Sequence, residues 1–133
     1  MKLVKTLLAL TALTALTALT SASAIADVSV HVLDTNKGLP GQSIEVKFYE
    51  KVNQDWKLLD TQMTDQNGRI KQFNFGDSSY YRVVFNVKDF FDRQKVDSFY
   101  DEIPVDFKID NKQAHYHIPL LLSPYAYSTY RGN

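Results

Sequence analysis

The chain of 133 residues carries 15 basic and 15 acidic side chains, three histidines and no cysteine. This charge balance excludes the basic footprint of a nucleic-acid binder, and the lack of cysteine removes both a disulfide framework and thiolate metal ligation. The length suits one small domain and is too short for two ordinary cores.

Residues 1–26 read as a cleaved signal peptide. Met1-Lys2-Leu3-Val4-Lys5 sets two positive charges before an apolar Leu/Ala/Thr run that reaches Thr20. Ala22-Ser23-Ala24 and Ala24-Ile25-Ala26 then offer small-residue cleavage triplets. The run is shorter than the ~20 apolar residues of a membrane span and is punctuated by threonines. Cleavage is expected after Ala24 or, by preference, Ala26. The product would be one domain, 27–133, exported to the periplasm and free of the membrane in its mature form.

Strand signals follow in order. Val28-Ser29-Val30-His31-Val32, Ile44-Glu45-Val46-Lys47-Phe48 and Tyr81 to Val87 alternate apolar and polar residues, which puts successive side chains on opposite faces of a strand. Trp56 to Met63, Arg69 to Phe75, Val105 to Ile109, Tyr116 to Leu122 and Tyr125 to Tyr130 are further candidates. Turn residues separate them at Asn36 to Gly41, Asp65 to Gly68 and Gly76 to Ser79. Short strands so punctuated predict an all-β sandwich or barrel. Lys88 to Tyr100 departs from this pattern and predicts one short helix; Pro104 then restarts extended chain.

Strand parity places the histidines. If Val28, Val30 and Val32 face the core, Ser29, His31 and Leu33 face outward. If Tyr116, Ile118 and Leu120 face the core, His115, His117 and Pro119 face outward. An isolated outward histidine is ordinarily solvated. A His-x-His pair also raises a metal site, but zinc needs three or four ligands and cysteine is absent. Proton transfer is the alternative use of imidazoles that titrate near neutral pH. Arg69, closing the turn, would alone be read as a solvated side chain. The tail, Ser123 to Asn133, keeps its tyrosines and an Arg-Gly pair to the end, where chains usually turn polar and fray; it is expected to be docked and to line a pocket.

These segments together resemble a known family. Val30-His31-Val32-Leu33-Asp34-Thr35 with Gly38-Leu39-Pro40, then Thr64-Asp65-Gln66-Asn67-Gly68-Arg69, then His115 through Pro124 with Tyr125 through Gly132, are similar to three signatures of the transthyretin-like proteins. The resemblance spans the mature chain. It implies a two-sheet β-sandwich of seven to eight strands with one short helix, in agreement with the strand signals. It also implies a homotetramer, a dimer of dimers with active sites in a channel between dimers, where outward histidines become interior.

Two branches share this fold: hormone-carrying transthyretins and 5-hydroxyisourate hydrolases of urate degradation. His31, Arg69, His115 with His117, and Tyr130-Arg131-Gly132 resemble the hydrolase branch, whose terminal Tyr-Arg-Gly-Ser is matched up to Asn133. That last difference bears on any role for a terminal hydroxyl, although an amide also donates and accepts hydrogen bonds. The resemblance implies opening of a cyclic amide ring to 2-oxo-4-hydroxy-4-carboxy-5-ureidoimidazoline without metal or organic cofactor. His31, Arg69 and His117 would be catalytic, Tyr130, Arg131, Gly132 and Asn133 would contact substrate, and His115 would support His117. The competing expectation is an exported carrier that binds an aromatic ligand without chemistry.

Overall fold

The computed structural model describes Ala12, Thr14 and residues 27–133. Apart from those two residues, the expected signal segment and both cleavage positions lie outside the described residues. Among the described residues there are nine strands and one helix, arranged as two packed sheets. The fold is the expected all-β sandwich.

The first sheet centres on β1 (Asp27–Asp34), whose alternate valines drive its placement. Val28, Val30 and Val32 are fully buried while Ser29, His31 and Leu33 are only partly so. Burying each valine is worth about 1.5–3 kcal/mol relative to leaving it in water, so a one-residue slip that turned all three outward is strongly disfavoured. β2 (Leu39–Pro40) and β5 (Arg69–Asn74) pair antiparallel with β1. β8 (Tyr116–Leu122) runs parallel to it on the other side, and β9 (Tyr127–Thr129) pairs antiparallel with β8.

The second sheet has the order β4-β3-β6-β7, formed by β3 (Glu45–Val52), β4 (Asp55–Met63), β6 (Tyr80–Asn86) and β7 (Glu102–Lys108). Phe48 of this sheet meets Phe73 of the first at 5.1 Å between ring centroids and stacks on Tyr81 at 5.3 Å, which fixes the core between the layers.

The expected short helix within Lys88 to Tyr100 is α1, Val87–Arg93. Asn86 caps its start by accepting from the Asp89 amide, and the chain leaves helical geometry where Lys95 takes a φ of 57°. The strand count is nine against the expected seven to eight: β9 falls within the expected Tyr125 to Tyr130 strand, whereas β2, two residues long inside the Asn36 to Gly41 turn, is too short to carry a periodic signal.

Candidate active site

The outer face of the first sheet gathers the predicted residues. In the antiparallel pairing of β5 with β1, Arg69 stands opposite His31. In the parallel pairing of β8 with β1, His117 stands opposite Ser29, and Pro119 opposite His31. His31, Arg69 and His117, scattered over 87 positions of sequence, thus share one surface.

The turn before β5 sets Arg69 in place. The Asp65 carboxylate accepts from the amides of Asn67 and Arg69 at 2.8 and 2.9 Å, and these bonds, that of Arg69 foremost, hold its pKa below the usual carboxylate value. Gly68 has φ 73°, and a Cβ there would lie 2.4 Å from the Val32 carbonyl oxygen. Only glycine fits this bend, and its carbonyl accepts from Val32 N–H at 2.8 Å, which ties the turn to the strand that carries His31.

Both imidazoles are held toward the neutral form. Burial lowers the pKa of His117 first, and the nearby Arg69, His31 and His115 lower it further. Burial also leads for His31, with Arg69 next and the Asn67 backbone and Asp65 opposing. A neutral imidazole at neutral pH can accept a proton. The exposed Arg69 supplies a fixed positive charge beside them, suited to a developing anion or a planar, hydrogen-bonding ligand.

Two residues that the sequence reading did not single out complete the cluster. Ser29 Oγ lies 2.6 Å from His117 Nδ1 and 2.9 Å from His115 Nε2. The Asp27 carboxylate accepts from His115 Nδ1. The face parity of β1 was the available signal for Ser29, since it shares the side of His31; Asp27 shares that parity too, at the strand's first residue.

The tail is docked through its backbone. The β8–β9 ladder pairs Leu120 with Thr129 and is then interrupted across Pro119, which has no N–H to offer. Contact resumes at a single bridge between His117 and Gly132, where Gly132 N–H donates to the His117 carbonyl at 2.8 Å. A Cβ on Gly132 would lie 2.5 Å from His117 Cδ2, so a side chain there would press on the imidazole. The Arg131 guanidinium sits 4.6 Å above the Tyr116 ring. Tyr130 and Asn133 are exposed in the single chain. A cleft of about 390 Å³ opens between β7 and the tail, lined among others by Phe107, Lys108, His117, Tyr130 and Arg131. His117 therefore belongs both to this cleft and to the face shared with His31 and Arg69.

Residues 28–132 match the model of the HIUase/Transthyretin family. The chain belongs to this family. Within it, the chain is 45% identical over 109 residues to the 5-hydroxyisourate hydrolase of Salmonella dublin, with 80% of each chain covered. Among solved structures, the 5-hydroxyisourate hydrolase of Klebsiella pneumoniae superposes with a TM-score of 0.71 at 27% identity, covering 82% of this chain and 94% of the other. Sea bream transthyretin in complex with thyroxine gives 0.74 at 31% identity, covering 79% and 93%. Backbone similarity is thus nearly equal to both branches of the family, and the side chains on the sheet face must separate them.

Proposed function

We infer that this chain hydrolyses 5-hydroxyisourate, opening its cyclic amide to give 2-oxo-4-hydroxy-4-carboxy-5-ureidoimidazoline. The observation that carries this reading is the placement of two neutral-leaning imidazoles, His31 and His117, on one face with Arg69. The 45% identity to a 5-hydroxyisourate hydrolase supports it. A carrier of an aromatic ligand has no need of paired bases beside a guanidinium, so that alternative is not favoured.

The chemistry follows from the groups. Water is a weak nucleophile until a base takes its proton. The Nδ1 of His117 is engaged by Ser29, which leaves Nε2 to receive that proton, while His31 orients the water or the substrate. As water oxygen bonds to the carbonyl carbon, the carbonyl oxygen becomes anionic and Arg69 balances it. The carbon–nitrogen bond then breaks, and the imidazolium returns its proton to the departing nitrogen. Tyr130, Arg131 and Gly132 form the adjoining wall, with Asn133 at its end, and His115 steadies His117 through Ser29. None of these steps calls on a metal or organic cofactor.

The same reading includes a homotetramer in which a second dimer covers this face. The exposed Tyr125, Tyr127 and Tyr130 and the open edges of β7 and β9 supply surface for such contacts; sedimentation of the purified domain at a monomer mass would overturn it. It also includes periplasmic delivery after loss of residues 1–26, to be checked by N-terminal sequencing of the mature protein from a periplasmic extract. The activity itself is tested by generating 5-hydroxyisourate freshly from urate and following its loss. Loss well above the spontaneous rate at micromolar protein is the expected result, and a rate equal to the spontaneous one would refute the hydrolase.

A further inference from the structure

We propose that Asp27, His115 and Ser29 form a proton relay that ends on His117, with Ser29 as its central positioning residue. This rests on the hydrolase reading above. The polarity of the chain follows from its first member. A carboxylate only accepts hydrogen bonds, so His115 Nδ1–H donates to Asp27 Oδ1. Neutral His115 then presents Nε2 as a lone pair 2.9 Å from Ser29 Oγ, and the hydroxyl donates there. The Ser29 oxygen is left to accept from His117 Nδ1–H at 2.6 Å. Each link dictates the next, and the last leaves His117 Nε2 unprotonated, the form a general base needs.

The chain has a second state of equal connectivity. When Nε2 takes a proton from water, Nδ1 passes its own proton to Ser29 oxygen, and the Ser29 hydroxyl proton passes to His115 Nε2. One proton has entered and one has moved across each link, so none is lost. The positive charge has travelled from His117 to His115. Arg69 on β5 and His31 on β1 repel a charge on His117, and the Asp27 carboxylate contacts the far ring nitrogen of His115, at the end of the path. The path runs in reverse when the departing nitrogen of the opened ring needs its proton.

The test compares the full-length mature domain with Ser29→Ala, Ser29→Thr, Asp27→Asn and the Ser29→Ala/Asp27→Asn pair. Two readouts are used: pH profiles of 5-hydroxyisourate turnover and ¹⁵N histidine NMR. At neutral pH the wild type is expected to hold His117 as the Nδ1–H tautomer, and Ser29→Ala to give a tautomer mixture. Ser29→Ala should lower kcat by about 10- to 100-fold, a part of the roughly 10²–10⁴ that general-base catalysis supplies, with KM unchanged. Its acid limb should move to lower pH, because a proton on His117 can no longer be passed away from Arg69. Ser29→Thr, which keeps the hydroxyl, should restore both. Asp27→Asn should lower kcat alone yet add nothing once Ser29 is alanine.

An Nε2–H tautomer for wild-type His117, an unmoved acid limb in Ser29→Ala, or additive losses in the double variant would each overturn the relay. If the wild type fails to accelerate the reaction, the hydrolase reading falls, and the tautomer spectrum still judges the relay.

Discussion

Replacing Gly132 by alanine isolates the contact between the tail and the His117 imidazole. The added Cβ would sit 2.5 Å from His117 Cδ2 and 3.1 Å from Pro119 Cγ. Ordinary carbon contacts are about 3.5–4.0 Å, so either the imidazole or the tail must yield by roughly 1 Å. A displacement of that size at a reacting group costs about 10²-fold in rate. If the tail gives way instead, the 2.8 Å bond from Gly132 N–H to the His117 carbonyl breaks. That bond is worth about 0.5–1.5 kcal/mol, and its loss would release the Tyr130–Arg131 wall. Either way kcat on freshly generated 5-hydroxyisourate should drop by about 10²-fold, while the urea midpoint falls little, because the buried core between the sheets is untouched. A Gly132→Ala protein with wild-type kcat would refute the close approach of tail and imidazole and the role given to His117.

Gly68→Ala should destabilise the fold by more than about 1–2 kcal/mol, since its φ is 73° and a Cβ would meet the Val32 carbonyl at 2.4 Å; urea unfolding with an unchanged slope and a lower midpoint checks this. Because both histidines titrate below the ordinary value of about 6.5, the acid limb of kcat/KM should lie below that pH. The same depression has a sign for stability. Between the folded and unfolded pKa values the unfolded chain binds more protons, so the contribution of these neutral imidazoles is full above about 6.5 and is lost as pH falls through their lowered folded values. Chemical denaturation across pH 5 to 8 should show stability rising with pH in that window, and the opposite slope would contradict the neutral assignment.

The parts of the molecule that follow from local pattern were legible in the sequence. Val28, Val30 and Val32 announce both a strand and its buried face, and the same parity turned His31 and His117 outward. The turn at Asp65–Gly68 was readable because its residue types are those that fold back on their own backbone. Register between distant strands was not readable. Nothing local in Ser29 says that it will lie beside His117, 88 positions away, in a parallel pairing, so its hydroxyl's bond to His117 Nδ1 was not legible. Asp27 was missed for the same reason. The short helix was legible from the mixed aromatic and charged pattern of Lys88 to Tyr100, but its end was not, because it is set by a single backbone reversal at Lys95. The tail was expected to dock, and its backbone does, with Tyr130 lining the cleft, but Tyr125, Tyr127 and Tyr130 stay exposed in the single chain.

The central claim is that His31 and His117 act as the proton-handling pair, and the most direct measurement is turnover of 5-hydroxyisourate by His31→Ala and His117→Ala beside the wild type. A loss of about 10²–10⁴-fold in each is the predicted result for removal of a general base or its partner. Unchanged turnover in both variants would contradict it.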